Sequence, residues 1–400
     1  MKYLFFTLSF ILVLCTLVSC QSESSSIPSV EVIELEDYET IYEFQEIQFD
    51  STAILSPSII TYDDQSNLYV YDRQRGKVVE LDSVGDIVNE YGRVGRGPGE
   101  FRFINRITLQ QNGLYLVDHW QFFIHKYNRK GELVSAMNYG SYTTGGQSML
   151  NLLSAVVPEG IQTIDINNRP YVMPEGKVLL PLGRDKVDRS IYELRDWEGN
   201  YLADIGEVPE GSLFLPEGGG DVFLSAIENR EIPGILKRRA FPVSDQANHG
   251  ELFLIYSATA RIVKYDTTGT KLWERKIQPT PEIEAVTRDY FKTMEKQNKA
   301  SNQRNPGTNI GMLRKYTAGV SSPEGELYLA TYTDPDTTVS FSELSEPLWI
   351  HRFSSEGELA RRYKMISGTG TSLPSVFDID FDERRIFVVT NKAEIRAYPF

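Results

Sequence analysis

Three aspartates near the C-terminus, Asp378, Asp380 and Asp382, alternate with aromatic and aliphatic residues. Side chains two positions apart share a face of a β-strand, so this spacing predicts three carboxylates on one face. Such a cluster could bind a hard cation such as Ca²⁺, or raise the pKa of one carboxyl group for acid–base chemistry. The structural alternative places Asp382 in a turn and leaves the other two to line a wet channel.

A second candidate is the glycine-rich segment 92–101, which contains Arg93 and Arg96. No Lys-Ser/Thr pair and no helical pattern follow it, so the segment does not match a phosphate-binding loop. Tight turning between two structural units explains the glycines more simply. The two arginines could nevertheless contact an anionic ligand.

A further candidate comes from aligning the repeats described below, which places Arg106 in the same column as Asp378. Both residues are therefore predicted to face a central channel. With Asp380, Arg93 and Arg96 they form the predicted set of ligand-binding residues. Nucleophilic and zinc-dependent centres have no candidate, because His-Glu-x-x-His and Gly-x-Ser-x-Gly motifs are both absent from the sequence.

The N-terminal residues 1–19 are predicted to be a secretory signal peptide. One lysine precedes an apolar run that is shorter than the about 20 residues of a membrane-spanning helix. The run ends in Leu17-Val18-Ser19-Cys20, which resembles the lipobox of bacterial lipoproteins. That resemblance implies cleavage before Cys20, lipid attachment to its thiol, and anchoring to a membrane rather than spanning it. An ordinary cleaved signal with an incidental cysteine is the alternative.

The residues after the signal, 20–29, are predicted to be the lipidated cysteine and a flexible tether. Gln21 is compatible with delivery to the outer membrane rather than retention at the inner one. The chain has 400 residues with 41 Lys+Arg and 55 Asp+Glu, a formal charge of −14. A negative chain without a block of basic residues has no electrostatic basis for binding nucleic acid.

One β motif occurs six times between residue 68 and the C-terminus. Each copy contains a strand, a polar turn, a second strand and, in the first five copies, a further turn and strand. A short apolar strand precedes each copy, so the unit has four antiparallel strands, which is typical of a propeller blade. The copies begin at Leu68, Leu114, Val178, Leu252, Leu327 and Ile386.

The sequence therefore predicts an all-β fold, a six-bladed β-propeller of four-stranded antiparallel blades in a single domain, 30–400. The sixth copy ends after its third strand. Its missing outer strand is predicted to come from the N-terminal stretch Val30 to Phe49, which would complete the last blade and close the ring. A linear β-solenoid is the alternative, disfavoured by the irregular repeat lengths.

Parts of the first two copies resemble a known family. The runs 72–78 and 118–124 look like the turn of NHL-type repeats, and the segment 92–101 is similar to the inter-blade loop of NHL-like six-bladed propeller lipoproteins. The resemblance implies fold and location. It leaves activity open, because similar folds include both binding proteins and metal-dependent lactonases and lyases.

Three insertions, 141–160, 207–248 and 279–312, do not fit the blade pattern. The third is predicted to contain one short helix, with Thr280 as N-cap and Pro281 at the first helical position. Long insertions on a rigid scaffold often carry binding residues, although a packing lid is an equally good explanation.

These observations predict a lipid-anchored, extracytoplasmic propeller that acts as a ligand- or protein-binding module at the bacterial cell envelope. Its expected contacts are the membrane, through Cys20, and a glycan, a peptide or an envelope protein. The alternative is a metal-dependent lactonase- or lyase-like enzyme with an acidic site in the central channel. No cofactor is established by the sequence, and Ca²⁺ is the candidate. The ligand and the binding face are left open.

Overall fold

The computed structural model describes residues 30–42, 54, 57–63, 65–83, 85–143, 169–182, 189–212, 219–301, 313–332, 348–365, 377–390 and 394–400. The predicted signal peptide, Cys20 and the tether lie outside these residues. Val32–Phe400 forms one compact unit.

The described strands form six antiparallel sheets, because short runs of β-branched and aromatic residues alternate with tight turns. Within a blade the strands follow sequence order from the axis outwards. The first three blades contain β3 Pro57–Tyr62, β4 Leu68–Asp72, β5 Lys77–Leu81 and β6 Ile87–Tyr91; β9 Ile104–Gln110, β10 Gly113–Asp118, β11 Phe123–Tyr127 and β12 Leu133–Asn138; and β13 Tyr171–Val172, β14 Val178–Pro181, β15 Tyr192–Arg195 and β16 Tyr201–Ile205. Two short strands between blades 1 and 2, β7 Arg93–Val94 and β8 Glu100–Phe101, pair in parallel.

The last three blades repeat the arrangement. They contain β17 Ala240–Ser244, β18 Leu252–Tyr256, β19 Arg261–Tyr265 and β20 Lys271–Lys276; β21 Ala318–Ser321, β22 Leu327–Tyr332, β23 Leu348–Phe353 and β24 Leu359–Met365; and β25 Phe377–Asp380, β26 Arg385–Val389 and β27 Ile395–Pro399. The predicted six-bladed propeller is therefore confirmed.

The N-terminal segment closes the ring. As predicted, a strand from this segment, β2 (Glu39–Tyr42), pairs antiparallel with β27 and supplies the outer strand of blade 6. A second strand, β1 (Val32–Leu35), was not expected and pairs parallel with β24 as a fifth strand of blade 5. Two adjacent blades are thus joined by strands more than 300 residues away in sequence.

The blades pack through their apolar faces, and six of the described clusters each cross a blade junction. Val70 and Leu81 of blade 1, for example, share a buried cluster with Phe387, Val389 and Ile395 of blade 6. Because every such residue is less than a tenth exposed, burial of the faces supplies the main force that holds neighbouring blades together.

The insertions contain more helix than the sequence predicted. The expected helix begins at Pro281 but continues to Ser301, so α4 (Pro281–Ser301) has 21 residues rather than a few. A second helix of 10 residues, α2 (Gly219–Glu228), and the short helix α3 (Gly234–Lys237) lie in the second insertion, and the short helix α1 (Gly140–Thr143) follows blade 2. Helices α2, α3 and α4 share one buried apolar cluster. Glycines are typical of loops, and α2 begins with glycines, which is why its sequence did not predict a helix.

The predicted insertion 207–248 is too long, because its residues 240–244 form β17, the innermost strand of blade 4. Insertions 141–160 and 279–312, and the part of the second insertion that precedes β17, all lie in blade-to-blade connections. Strands alternate in direction, so blade-to-blade connections and turns between second and third strands lie at one face. The connections at the opposite face have at most seven residues, the longest being 245–251. We call the first face the insertion-bearing face.

Candidate functional site

Arg106 and Asp378 both lie on innermost strands, as the repeat alignment predicted. Arg106 belongs to β9 of blade 2 and Asp378 to β25 of blade 6, with blade 1 between them. Innermost strands surround the axis of a propeller, so both residues line its central part.

The Asp378 carboxylate ties blade 6 to blade 1. It accepts hydrogen bonds from Thr61 Oγ1 and from the Tyr62 backbone N, each at 2.8 Å, and a third from the Ile379 backbone N at 2.8 Å. Burial raises the pKa of Asp378 to about 6, although these three hydrogen bonds oppose the shift. This carboxyl group can therefore change protonation state close to neutral pH.

Of the other two aspartates, Asp380 lies two residues after Asp378 in β25 and therefore on the same face, whereas Asp382 lies beyond the strand. Asp380 is buried, pairs with Arg385 (Oδ2 to Nη2, 3.0 Å) and accepts the Glu383 backbone N–H. Asp382 is exposed in the turn that follows β25, because the strand ends at Asp380. The predicted three-carboxylate face is therefore not formed. No group of three or more potential ligands that could hold a metal ion occurs in the described ranges.

The Arg106 side chain crosses from blade 2 to blade 3. Its guanidinium lies over the ring of Tyr171 in β13, 4.6 Å from the ring centroid. Its Nε is inaccessible to solvent and has no hydrogen-bond partner among the described residues. Burial, and the neighbouring charge of Arg169, hold the pKa of Arg106 below its usual value.

A second site forms where three turns meet at the junction of blades 1 and 2. Gln121 Nε2 donates to the Gly95 carbonyl at 2.9 Å, and the His119 backbone N donates to the Phe103 carbonyl at 3.2 Å. The Arg73 guanidinium lies 5.5 Å from the Phe103 ring centroid. We call this interlocked surface, residues 73–76, 92–103 and 118–122, the blade 1–2 platform.

Glu100 organises the central segment of the platform. Its carboxylate accepts hydrogen bonds from Arg93 Nε at 2.9 Å and from the backbone N of Arg96 and Gly97 at 2.9 and 2.8 Å. These bonds lower the pKa of Glu100. A Cβ at Gly95 would lie 2.0 Å from a Glu100 oxygen, so glycine is needed there for close approach, as the tight-turn interpretation predicted.

The platform concentrates exposed apolar and positive groups on the insertion-bearing face. Trp120 is 66% exposed and Val94 is 60% exposed. Arg73, Arg96 and Arg102 are exposed, and none has an acidic partner in the part of the chain that the structure describes. Of the two predicted ligand-binding arginines, Arg93 is therefore held by Glu100, whereas the Arg96 side chain is available.

Sequence reasoning missed a buried polar network that joins α4 to blade 5. His351 Nε2 lies 2.6 Å from Glu282 Oε1, and the Tyr316 hydroxyl lies 2.8 Å from His351 Nδ1. Arg362 Nη1 pairs with Glu282 Oε2 at 3.1 Å. Glu282 and His351 are 69 positions apart, so no local motif signals this contact.

The protonation state of this network follows from its geometry. Burial lowers the pKa of His351, so the ring is neutral. Burial would raise the pKa of Glu282, but hydrogen bonding to His351 brings it down to about 2. A neutral ring that donates from Nε2 to the carboxylate and accepts from Tyr316 at Nδ1 satisfies all of these contacts. The network therefore anchors the start of α4.

Comparison with known proteins supports the architecture. Residues 15–144 match a family described as a 6-bladed beta-propeller. A member of the DUF4221 family from Bacteroides vulgatus is 11% identical, with a TM-score of 0.50 over 92% of this chain and 96% of that one. No curated protein sequence matches.

Two further solved structures are similar to this chain with TM-scores below 0.5. One is an exported protein from Bacteroides fragilis, 12% identical, with a TM-score of 0.47 over 89% of this chain and 87% of that one. The other is a virginiamycin B lyase from Staphylococcus aureus, 12% identical, with a TM-score of 0.44 over 91% and 100% of the two chains. Among the described residues, no helix is long and apolar enough to cross a membrane.

Proposed function

We propose that this chain is a lipid-anchored, extracytoplasmic binding protein that captures an acidic partner protein through the blade 1–2 platform. The observation that carries the proposal is that the blade 1–2 platform presents the exposed Trp120 together with three exposed arginines that have no ion pair among the described residues. Anchoring through Cys20 rests on the lipobox-like residues 17–20.

The composition of the platform favours a protein partner. Tryptophan and arginine are the residues most enriched among those that dominate binding energy in protein interfaces. The three turns are locked to one another by Gln121, His119 and the Glu100 hydrogen bonds. A surface that is already ordered loses little conformational entropy when a partner binds.

The charge of the platform favours an acidic partner. The chain as a whole has a formal charge of −14, yet the guanidinium groups of Arg73, Arg96 and Arg102 form no ion pair among the described residues, because Glu100 and Asp118 are engaged by backbone N–H groups. Guanidinium groups bind carboxylates through paired, charge-assisted hydrogen bonds. Complementary charge also accelerates encounter, and salt weakens this effect.

The test measures binding of fluorescent poly-L-glutamate by anisotropy at low and high ionic strength. The protein is the chain from Gln21 onward, which contains the whole compact unit Val32–Phe400. We expect the triple variant R73Q/R96Q/R102Q to weaken binding by about threefold to about a hundredfold, since three exposed charge pairs of about 0.2–1 kcal/mol each are removed. Trp120→Ala should weaken it further.

Two matched controls separate the platform from general charge and hydrophobicity. Lys130→Gln removes an exposed cation from the opposite face of blade 2, and Leu272→Ala removes an exposed apolar side chain from blade 4. Both should bind as the unmodified chain does. Equal binding by the triple variant would refute the proposal. Binding of polygalacturonate but not poly-L-glutamate would replace the acidic protein by an acidic glycan.

A second candidate function, a lactonase- or lyase-like activity, is favoured by one observation. The Asp378 carboxyl, with its pKa raised to about 6, has the protonation behaviour that a general acid or base needs near neutral pH. A metal-dependent enzyme would need a group of metal ligands, and the described residues contain no group of three or more that could hold a metal ion. Hydrolysis of simple lactones that disappears in Asp378→Asn would support the enzyme, and no turnover by the unmodified chain would exclude these substrates.

A further inference from the structure

His125 is a buried histidine that lies beneath the blade 1–2 platform. It occupies the middle of β11, the third strand of blade 2, and is 3% exposed. Neither ring nitrogen has a hydrogen-bond partner among the described residues. His125 pairs with Leu116, a member of the buried cluster between blades 1 and 2. Because directly paired residues share a face of the sheet, the imidazole lies on the face of blade 2 that packs against blade 1.

Aromatic rings surround this imidazole. The ring centroids of Phe123, Phe101 and Tyr127 lie 5.8, 6.3 and 6.5 Å from that of His125. Phe101 belongs to β8, so it joins the histidine directly to the central segment of the platform. The Tyr127 hydroxyl donates to the Gly99 carbonyl at 2.8 Å in the same segment. The platform therefore rests on the packing around His125.

Blade 5 holds a second buried histidine, His351, whose surroundings are different. Like His125, it lies two residues before the end of a third strand. Its ring nitrogens, however, are both engaged, Nδ1 with the Tyr316 hydroxyl at 2.8 Å and Nε2 with Glu282 at 2.6 Å. The ring of His125 lacks such partners within the described structure, so a second proton on it would be placed among aromatic rings.

The carboxylate that shares this face of blade 2 with His125 belongs to Asp118. Strand pairing makes the two residues diagonal neighbours across β10 and β11. The Asp118 oxygens already accept hydrogen bonds from the backbone N of Arg102, Trp120 and Gln121 and from Gln121 Nε2, at 2.8–3.1 Å. A protonated His125 could therefore reach this carboxylate only by displacing donors that hold the platform together.

The other titratable groups on the elements packed against His125 bring no compensating charge. Tyr71 of β4 and Tyr91 of β6 contact the aromatic rings that surround it, and Tyr127 is one of those rings. Burial raises the pKa of all three tyrosines, so they are neutral in acid. Glu100 of β8 is engaged by backbone N–H groups of its own segment.

The sign of the pH effect follows from burial. Burial lowers the pKa of His125, although the charge of Asp118 opposes the shift. A lowered pKa in the folded state means that the neutral ring stabilises the fold. This contribution is complete above the unfolded pKa of about 6.5 and is lost as pH falls below that value towards the folded pKa.

We propose that protonation of His125 opens the blade 1–2 platform, so that the protein releases its acidic partner on mild acidification. A positively charged ring must either leave the aromatic packing, which displaces Phe101, or take Asp118 from its donors, which frees the turn that carries Trp120. This regulation rests on the binding function proposed for the platform.

The first experiment measures poly-L-glutamate binding by the chain from Gln21 onward at pH 7.5 and 5.5, at one ionic strength. Binding by the unmodified chain should weaken several-fold and by at most about tenfold, because a group with a pKa of about 6.5 in the open state favours opening by about tenfold over this interval. The ratio of the two dissociation constants is compared between variants, so that the titration of poly-L-glutamate itself cancels.

Two substitutions remove the titrating group in different ways. His125→Leu suits the apolar surroundings and His125→Gln keeps a polar side chain, so at least one variant is expected to fold. Both should show a smaller ratio than the unmodified chain. His249→Gln is the matched control, because His249 is exposed in a turn of the opposite face, and it should keep the full ratio. Equal ratios in all of these chains would overturn the proposal.

Hydrogen exchange separates the failure of this inference from the failure of the platform function, because it needs no partner. The backbone amides of Arg102, Trp120 and Gln121, which donate to Asp118, should lose protection between pH 7.5 and 5.5 after correction for intrinsic exchange. His125→Leu should keep their protection. Loss of protection in a chain that does not bind poly-L-glutamate would refute the platform function alone, whereas constant protection would overturn opening by acid.

Discussion

The Asp378 carboxyl provides a direct test of the packing between blades 6 and 1. Its pKa is about 6 in the folded chain against 3.8 for a free side chain. A folded-state pKa that is raised means that the protonated form stabilises the fold. This contribution is complete below the unfolded pKa and is lost as pH rises through the interval from about 4 to about 6.

Asp378→Asn replaces the carboxyl group by a neutral group of the same shape. A shift of about 2 pKa units corresponds to about 3 kcal/mol at 1.36 kcal/mol per unit. Near pH 4 both side chains are neutral, but the amide nitrogen of asparagine cannot accept as the replaced oxygen does, so the variant should lose about one hydrogen bond, or about 1 kcal/mol. Near pH 7 the variant should be more stable by up to about 3 kcal/mol, since it avoids burying a charge.

The assay is urea denaturation of both chains across this pH range, and the observable is the difference between their free energies of unfolding. Every other carboxyl group titrates in both chains, so its contribution cancels in the difference between the two free energies of unfolding. Asp382→Asn is the matched control, because Asp382 is exposed in the neighbouring turn, and its profile should run parallel to that of the unmodified chain. Parallel profiles for Asp378→Asn as well would refute the burial argument.

Three further predictions concern the buried network, the platform and the ring closure. Glu282→Gln should cost about 3 kcal/mol of unfolding free energy near neutral pH, and urea denaturation should show this cost shrinking as pH falls from about 4.5 towards 2, because a depressed pKa stabilises only the ionised state. Gly95→Ala should displace the carboxylate that organises the platform and lower the melting temperature, because the backbone N–H groups of Arg96 and Gly97 lose their acceptor; an unchanged melting temperature would contradict it. Deleting β1 (Val32–Leu35) should leave a cooperative unfolding transition, whereas deleting β2 (Glu39–Tyr42) as well should broaden it, because blade 6 then loses its outer strand.

Much of the fold could be predicted because its information is local. Alternating apolar strands and glycine turns recur six times, and a truncated last copy requires a strand from elsewhere. The partner of β27 was predicted to come from the N-terminal stretch for that reason, and β2 is that partner. The parallel addition of β1 was not predictable, since an extra edge strand leaves no gap in the repeat pattern.

The candidate site was predictable only in part. The positions of Arg106 and Asp378 on innermost strands follow from repeat alignment, a property of the sequence itself. Asp382 was assigned to the face of Asp378 as one alternative, but β25 ends two residues earlier. A shift of strand end by two residues changes which carboxylates share a face, and the sequence does not specify strand ends that closely.

The sequence alone therefore determines the number of blades, the need for an N-terminal closing strand and the identity of the inner-strand residues, because strand periodicity and turn chemistry are properties of neighbouring residues. Only the tertiary structure brings Glu282 to His351, assembles three separate turns into the platform, and places the Arg106 guanidinium over the Tyr171 ring. These contacts join residues that are distant in the chain. Their energy depends on burial and on the nearest opposite charge, which exist only once the blades have packed.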